Sequence, residues 1–159
     1  MAIIAWRVVR AKYAAPPYDP FDGEGARKSG GRWNSPGVAM VYTTWAISLA
    51  VLETLVHAEE LNSLLEKRMA SFAFDDADVA VAGVAANKPL SLAEYRMIGD
   101  TWIAAKTSPV LRVPSGVIPQ EFNYLLNPEH PDFPRIRPTA TKWEPLPIDR
   151  RLLETKGPP

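Results

Sequence analysis

Arg32 stands between a glycine pair and a tight turn, in the stretch GGRWNSPG from Gly30 to Gly37. Glycines let backbone approach a ligand closely, and Asn-Ser-Pro-Gly forces the chain to turn at once. A guanidinium on such a frame can grip phosphate through its planar fork. It can equally serve as a structural arginine paired with a nearby carboxylate. Glu53 is the second anomaly, the sole charged residue between Val38 and Val56. On helical spacing it shares a face with Leu49, Ala50 and His57. A carboxylate in such company is costly unless it meets a partner or a ligand, or unless it lies with Thr54 and His57 on the one wet stripe of the helix. Tyr42 lies near the end of the strand ahead of that helix, so a phenol, a carboxylate and Arg32 can meet at one cleft mouth, although a tyrosine in a strand can equally be simple packing.

Other chemistry-bearing patterns are weaker. Ser115 follows Arg-Val-Pro and precedes Gly116, a forced corner where its hydroxyl could face a pocket or merely form a turn. No base adjoins it, which argues against a hydrolase triad. His57 and His130 lack ligand spacing, so no metal is expected. Glu59-Glu60 and Asp75-Asp76 read as solvated termini rather than a glycosidase dyad. GARKSGGR has P-loop glycine spacing, but Gly31-Arg32 occupies the place of Lys-Ser/Thr and the strand–helix context is missing. GEGARKSG fails as a dinucleotide fingerprint for the same contextual reason.

The elements that must position these residues follow from composition and periodicity. A chain of 159 residues with 47% apolar and 23% charged content suits one domain with a full core. Lys plus Arg equals Asp plus Glu at 18 each, so no global field draws nucleic acid or membrane. Without cysteine there are no disulfides or thiolate nucleophiles. The N-terminus reads as a strand, not a signal peptide, and no apolar run approaches the roughly 20 residues of a membrane helix, so a cytoplasmic protein is expected.

Strands are predicted at Ile3–Val9, Val38–Thr43, RMASFAF, VAVAG, PVLRVPS and FNYLLN, with a further one in TATKWEPL. Ala14–Gly31 is expected to be irregular. A helix is predicted from Trp45 to about Glu60, capped by the Thr44 hydroxyl, and another from the capping box Ser91–Glu94 to about Lys106. Short strands with two main helices, not regularly interleaved, predict an α+β fold with a curved or split antiparallel sheet. Residues 1–155 form the expected single domain and 156–159 a frayed tail.

Taken as a set, DGEGARKSGGRWNSPG, MVYTT, AVLETLVH, LRVPSG, NYLLNPEHPDF and IDRRLL resemble the RES domain, the toxin of a bacterial toxin–antitoxin family. They occur in the family's order and cover most of the chain, with a looser match from Asn62 to Lys106. VPSG departs slightly from the family pattern after the serine.

The resemblance implies a fold akin to diphtheria-toxin-type ADP-ribosyltransferases. NAD+ is then a substrate rather than a cofactor, cleaved at the nicotinamide–ribose bond by phosphorolysis or hydrolysis, with NAD depletion and growth arrest as the outcome. It also implies an antitoxin partner with an Xre-type DNA-binding domain in a hetero-oligomer; a homodimer stays open. On this reading Gly31 and Arg32 meet the pyrophosphate, and Glu53 stabilises the sugar as charge develops. Tyr42 stacks on nicotinamide or orients the ribose, Ser115 hydrogen-bonds one end of the substrate, and Asn123 braces a loop. Alternatives are mono-ADP-ribosylation of a protein and a non-catalytic module whose Arg32 turn grips a partner's carboxylate. A ribonuclease is disfavoured by the balanced charge.

Overall fold

Strand β1 (Ala2–Arg10) grows from the β-branched N-terminal run and pairs antiparallel with β3 (Lys67–Asp75) along its whole length, from Ala2↔Asp75 to Arg10↔Lys67. In the computed structural model, which describes residues 1–58, 60–137 and 140–154, this pair is half of a seven-stranded sheet. The other half is built on β2 (Val41–Thr44), β5 (Val110–Pro114) and β6 (Phe122–Leu126), with β4 (Val79–Val81) at its edge, while β7 (Glu144–Pro145) pairs with β3 at the opposite edge of the sheet. The order is β4-β5-β6-β2-β1-β3-β7. Four helices accompany the sheet among the described residues: α1 (Glu24–Ser29), α2 (Ile47–Val56), α3 (Leu92–Ala105) and α4 (Phe133–Ile136). None of the described helices is long and apolar enough to cross a membrane. The fold is α+β, as expected.

Two features of the sheet matter for the site. The halves meet at β1 and β2 through the single register pair Trp6↔Thr44, so the strands part company beyond it and leave a cleft. The sheet is therefore continuous yet nearly split. Its antiparallel character also has one exception, since β4 runs parallel to β5.

Side-chain alternation divides the apolar residues between two cores. Val110, Tyr124 and Leu126 join Ala5, Phe72 and Phe74 on one face. Leu111, Val113 and Leu125 join Trp33, Tyr95 and Trp102 on the other, under α3. Strands β5 and β6 thus contribute buried residues to both cores. Across the β2–β6 ladder Tyr42 faces Leu125 and Thr44 faces Asn123, which puts Tyr42 and Asn123 on the α3 side of the sheet.

Several local expectations are corrected. The stretch expected to be irregular carries α1, because the Asp22 carboxylate accepts the Glu24 N–H at 2.8 Å and Glu24 pairs with Arg27 one turn on at 2.6 Å. Thr44 does not cap α2. It belongs to β2, and its hydroxyl donates to the Ala46 carbonyl at 2.8 Å instead. Helix α2 is also shorter than predicted, and Glu59 lies outside the described residues, as do 155–159, where the frayed tail was expected. By contrast α3 carries both halves of the capping box: Ser91 Oγ accepts the Glu94 N–H and Glu94 accepts the Ser91 N–H.

Helix α4 is clamped to the sheet by a forked ion pair. Arg135 donates to Asp78 at 2.6 and 3.1 Å, and Asp78 is only 8% exposed. The hydrogen-bonded guanidinium outweighs burial and holds the Asp78 carboxyl below its ordinary 3.8. A depressed carboxyl contributes stability above its unfolded pKa and loses it as pH falls through the folded value. Arg135→Ala is therefore expected to unfold at lower urea than the parent at pH 7. The gap between the two midpoints should close as pH falls below the ordinary carboxylate range.

Candidate functional site

The site is assembled by three elements that end at one place. Helix α2 carries Glu53, the corner after β5 carries Ser115, and the start of β6 carries Asn123. Ser115 Oγ and Asn123 Nδ2 both donate to Glu53 Oε1, each at 2.7 Å. Among the described residues Oε2 has no protein partner. The carboxylate is half-buried and held from one side, with its second oxygen left for something else. Ser115 is itself fixed, because its Oγ accepts the N–H groups of Val117 and Ile118 at 3.0 and 3.1 Å. A serine with one donated and two accepted bonds at 4% exposure has no capacity left for a substrate. In this arrangement Ser115 orients Glu53 instead of presenting a free hydroxyl to the cleft.

Asn123 was expected only to brace a loop. It lines two adjoining cavities, and its Oδ1 is a buried acceptor with no partner among the described residues. The amide cannot flip to relieve this, because Nδ2 must face the carboxylate. An orphaned acceptor of this kind costs free energy and calls for a donor, which a ligand in the cleft could supply. The sequence signal was a carboxamide inside an otherwise apolar strand, Phe122–Leu126.

Arg32 approaches from the other wall. Its guanidinium lies over the Tyr95 ring, 5.0 Å from the centroid, and among the described residues no carboxylate or carbonyl engages it. The structural ion pair that the sequence left open is not what holds it. The loop beneath is pinned to α3: Arg96 donates to the Gly31 carbonyl at 2.9 Å, and Asp100 accepts the Ser35 N–H at 3.0 Å. The buried Asn34 amide donates to the carbonyls of Ala26 and Val38, each at 2.9 Å, and ties the turn internally.

Tyr42 supplies the remaining brace. Its hydroxyl accepts the Trp33 N–H at 3.0 Å and donates to Asn34 Oδ1 at 2.7 Å, so its polar end serves the Arg32 loop. Its ring lines both cavities. Burial, only partly countered by the bond from Trp33, pushes the phenol up to about 12, which keeps it neutral near pH 7. Gly31 is required by the same contact, since a Cβ there would lie 2.5 Å from the Tyr42 hydroxyl oxygen. Gly31 thus acts by yielding space to the brace.

A second close approach fixes the loop on α3. A Cβ at Gly99 would fall inside the Trp33 carbonyl oxygen, a backbone atom that cannot step aside. Gly99→Ala is expected to cost about 3 kcal/mol, the upper range for overpacking a core, read as a lowered urea midpoint.

These residues surround two adjoining cavities. One, of about 400 Å³, is lined by Arg32, Trp33, Tyr95, Gly116 and Val117. The other, of about 640 Å³, lies where β1 and β2 diverge and is lined by Arg7, Arg10, Thr43, Thr54 and Lys67. Tyr42, Glu53, His57 and Asn123 belong to both walls. Arg32 and Glu53 therefore face one cavity, and Glu53 sits at the junction with the next. Arg7 holds the split open in place of a backbone ladder, donating to the carbonyls of Pro20 and Tyr42 at 2.6 and 2.7 Å. Burial draws it down to about 10, against the opposing pull of Asp22 and Asp19, so it stays cationic at neutral pH.

Such a cleft suits an elongated ligand that is anionic near Arg32 and carries hydroxyls or developing positive charge near Glu53. The chain matches the RES domain family over residues 4–149. It is 33% identical over 136 residues to "Toxin Res" of Yersinia enterocolitica, covering 82% of this chain and 88% of that protein. It is 31% identical over 159 residues to "Toxin Res" of Photorhabdus laumondii, covering 97% and 99%. A protein named "Prs ADP-ribosylating toxin" from a Sphingobium species is 37% identical over 134 residues, covering 79% and 83%. The fold is also similar to a chain in the crystal structure of the M. tuberculosis MbcT–MbcA toxin–antitoxin complex. That likeness has a TM-score of 0.66 at 17% identity, over 91% of this chain and 84% of that one.

Proposed function

The chain belongs to the RES domain family, and from that premise we propose that it is the toxin of a toxin–antitoxin pair that cleaves NAD+ at the nicotinamide–ribose bond. The observation that carries this reading is the junction at Glu53. Among the described residues the carboxylate is anchored through Oε1 alone, and the wall it occupies is shared with the cavity that Arg32 enters.

Arg32 grips the pyrophosphate. Among the described residues its donors have no hydrogen-bond or ion-pair partner, so none of those has to be released before the ligand binds, and a fork on two phosphate oxygens fixes register along the cleft. With the bridge held there, the nicotinamide-bearing ribose reaches Glu53. As the C1′–N bond lengthens, its electron pair leaves with nicotinamide and positive charge grows on the sugar. The free Oε2 of Glu53 faces that charge or holds the ribose hydroxyls, an interaction stronger in the transition state than in the ground state. An acceptor oxygen then bonds to C1′. Water yields ADP-ribose and a proton; inorganic phosphate yields the ADP-ribosyl phosphate. Ser115 and Asn123 prevent the carboxylate from turning away. Tyr42, a neutral phenol with both hydrogen-bonding roles occupied, maintains the Arg32 loop and offers its ring as a wall.

Nicotinamide release from NAD+ by the purified protein, with phosphate varied, tests the reaction and identifies the acceptor. Release above the spontaneous rate supports the proposal, and its phosphate dependence separates phosphorolysis from hydrolysis. Intact NAD+ under both conditions refutes it.

The relative named an ADP-ribosylating toxin favours a second reading, in which a protein side chain is the acceptor. Mass spectrometry of lysate exposed to the protein and NAD+ would then show an ADP-ribose adduct on a discrete target. An antitoxin that seats a segment in the same cleft is the natural partner, in keeping with the toxin–antitoxin complex whose chain shares this fold.

A further inference from the structure

Ser115 orients Glu53, and the next residue meets Arg32. A Cβ built on Gly116 would lie 2.8 Å from Arg32 Nε, 2.9 Å from Nη2 and 3.0 Å from Cζ. The guanidinium therefore rests against bare backbone at 116, with the Tyr95 ring as its other support. We propose that Ser115-Gly116 acts as one spacer that sets the gap between the anion-gripping Arg32 and the carboxylate of Glu53, with Gly116 the positioning residue for Arg32. This deepens the proposed reaction and rests on it.

The corner is stiff enough for the task. Ser115 N–H donates to the Glu121 carbonyl at 2.9 Å, and its hydroxyl collects the amides of Val117 and Ile118, so the loop is tied on both sides of Gly116. Pro114 precedes it and restricts the approach from β5. The two contacts also differ in kind. Ser115 reaches Glu53 through a side chain, whereas Gly116 reaches Arg32 by having none. A methyl at 116 has no backbone obstacle within its three nearest contacts, so the guanidinium is what must move. Arg32 is exposed and can swing, and its fork would leave the phosphate register while Glu53 stayed in place.

The prediction is a split. Gly116→Ala should raise KM for NAD+ and lower kcat/KM by about a hundredfold, the scale of an ångström-sized misplacement. Ser115→Ala should instead act mainly on kcat. The cycle of Gly116→Ala, Arg32→Ala and the double variant isolates the contact, because coupling appears only between residues that act on each other. With the guanidinium gone, Gly116→Ala should cost no further kcat/KM, and any fall in melting temperature caused by Gly116→Ala alone should disappear. Equal losses from Gly116→Ala in both backgrounds, in activity or in melting temperature, would overturn the spacer. The melting cycle reads the contact without NAD+. A parent protein that leaves NAD+ intact while this cycle still shows coupling would therefore remove the reaction and leave the contact between 116 and 32 standing.

Discussion

Glu53→Gln is expected to reduce nicotinamide release by about 10²–10³-fold, the loss found when one preorganised electrostatic group is removed from a transition state. The substitution is unusually clean here. Ser115 and Asn123 both donate to Oε1, so a glutamine carbonyl in that place keeps both bonds. What disappears is the negative charge on the second oxygen, the one with no protein partner among the described residues. Melting temperature and KM should hardly move, while kcat falls. A fall in kcat of less than about threefold would mean that the carboxylate does not face the developing charge. A lowered melting temperature with matching loss of all activity would mark Glu53 as a structural acceptor for two neighbours.

Arg32→Ala carries the other large effect, with the opposite kinetic signature. Two hydrogen bonds to phosphate from a charged donor are together worth about 3 kcal/mol, or roughly a hundredfold in kcat/KM. The grip is the same before and during bond cleavage, so the loss should fall mainly on KM. Stability should be preserved, since among the described residues the guanidinium has no ion pair and rests against Tyr95 and Gly116. Arg32→Lys should recover little, because an ammonium retains the charge and loses the fork. Steady-state kinetics with NAD+ as the varied substrate separates these outcomes from those at Glu53.

The reasons for these two residues were legible in the sequence to different depths. The oddity of Arg32 on a glycine-framed turn and of Glu53 in an apolar helix is local, and it stood out without any structure. The partners of Glu53 did not, because Ser115 and Asn123 are separated from it by 62 and 70 positions and converge only when β5, β6 and α2 end together. Asn123 was undervalued for the same reason, since a carboxamide in a strand looks like a loop brace until the carboxylate opposite it is known. Tyr42 was placed near the ligand by its position, yet its hydroxyl proves committed to Trp33 and Asn34, a contact no spacing announces.

Secondary structure follows the same division. Helix α3 was readable because its capping box is a four-residue signal with a reciprocal hydrogen-bond pattern. Helix α1 was hidden by surrounding glycines and prolines, although Asp22, Glu24 and Arg27 supply its start and its one-turn ion pair. The cleft itself depends on where β1 and β2 cease to pair and on Arg7 bridging the gap, which is a property of the sheet and not of any segment.

The most direct measurement is a crystal structure of Glu53→Gln with intact NAD+, whose slow turnover keeps the dinucleotide whole. The predicted density runs through both cavities, with pyrophosphate oxygens on the Arg32 fork and the ribose carbon of the scissile bond beside residue 53. A dinucleotide bound with its bridge away from Arg32, or with its nicotinamide ribose out of reach of residue 53, would contradict the account.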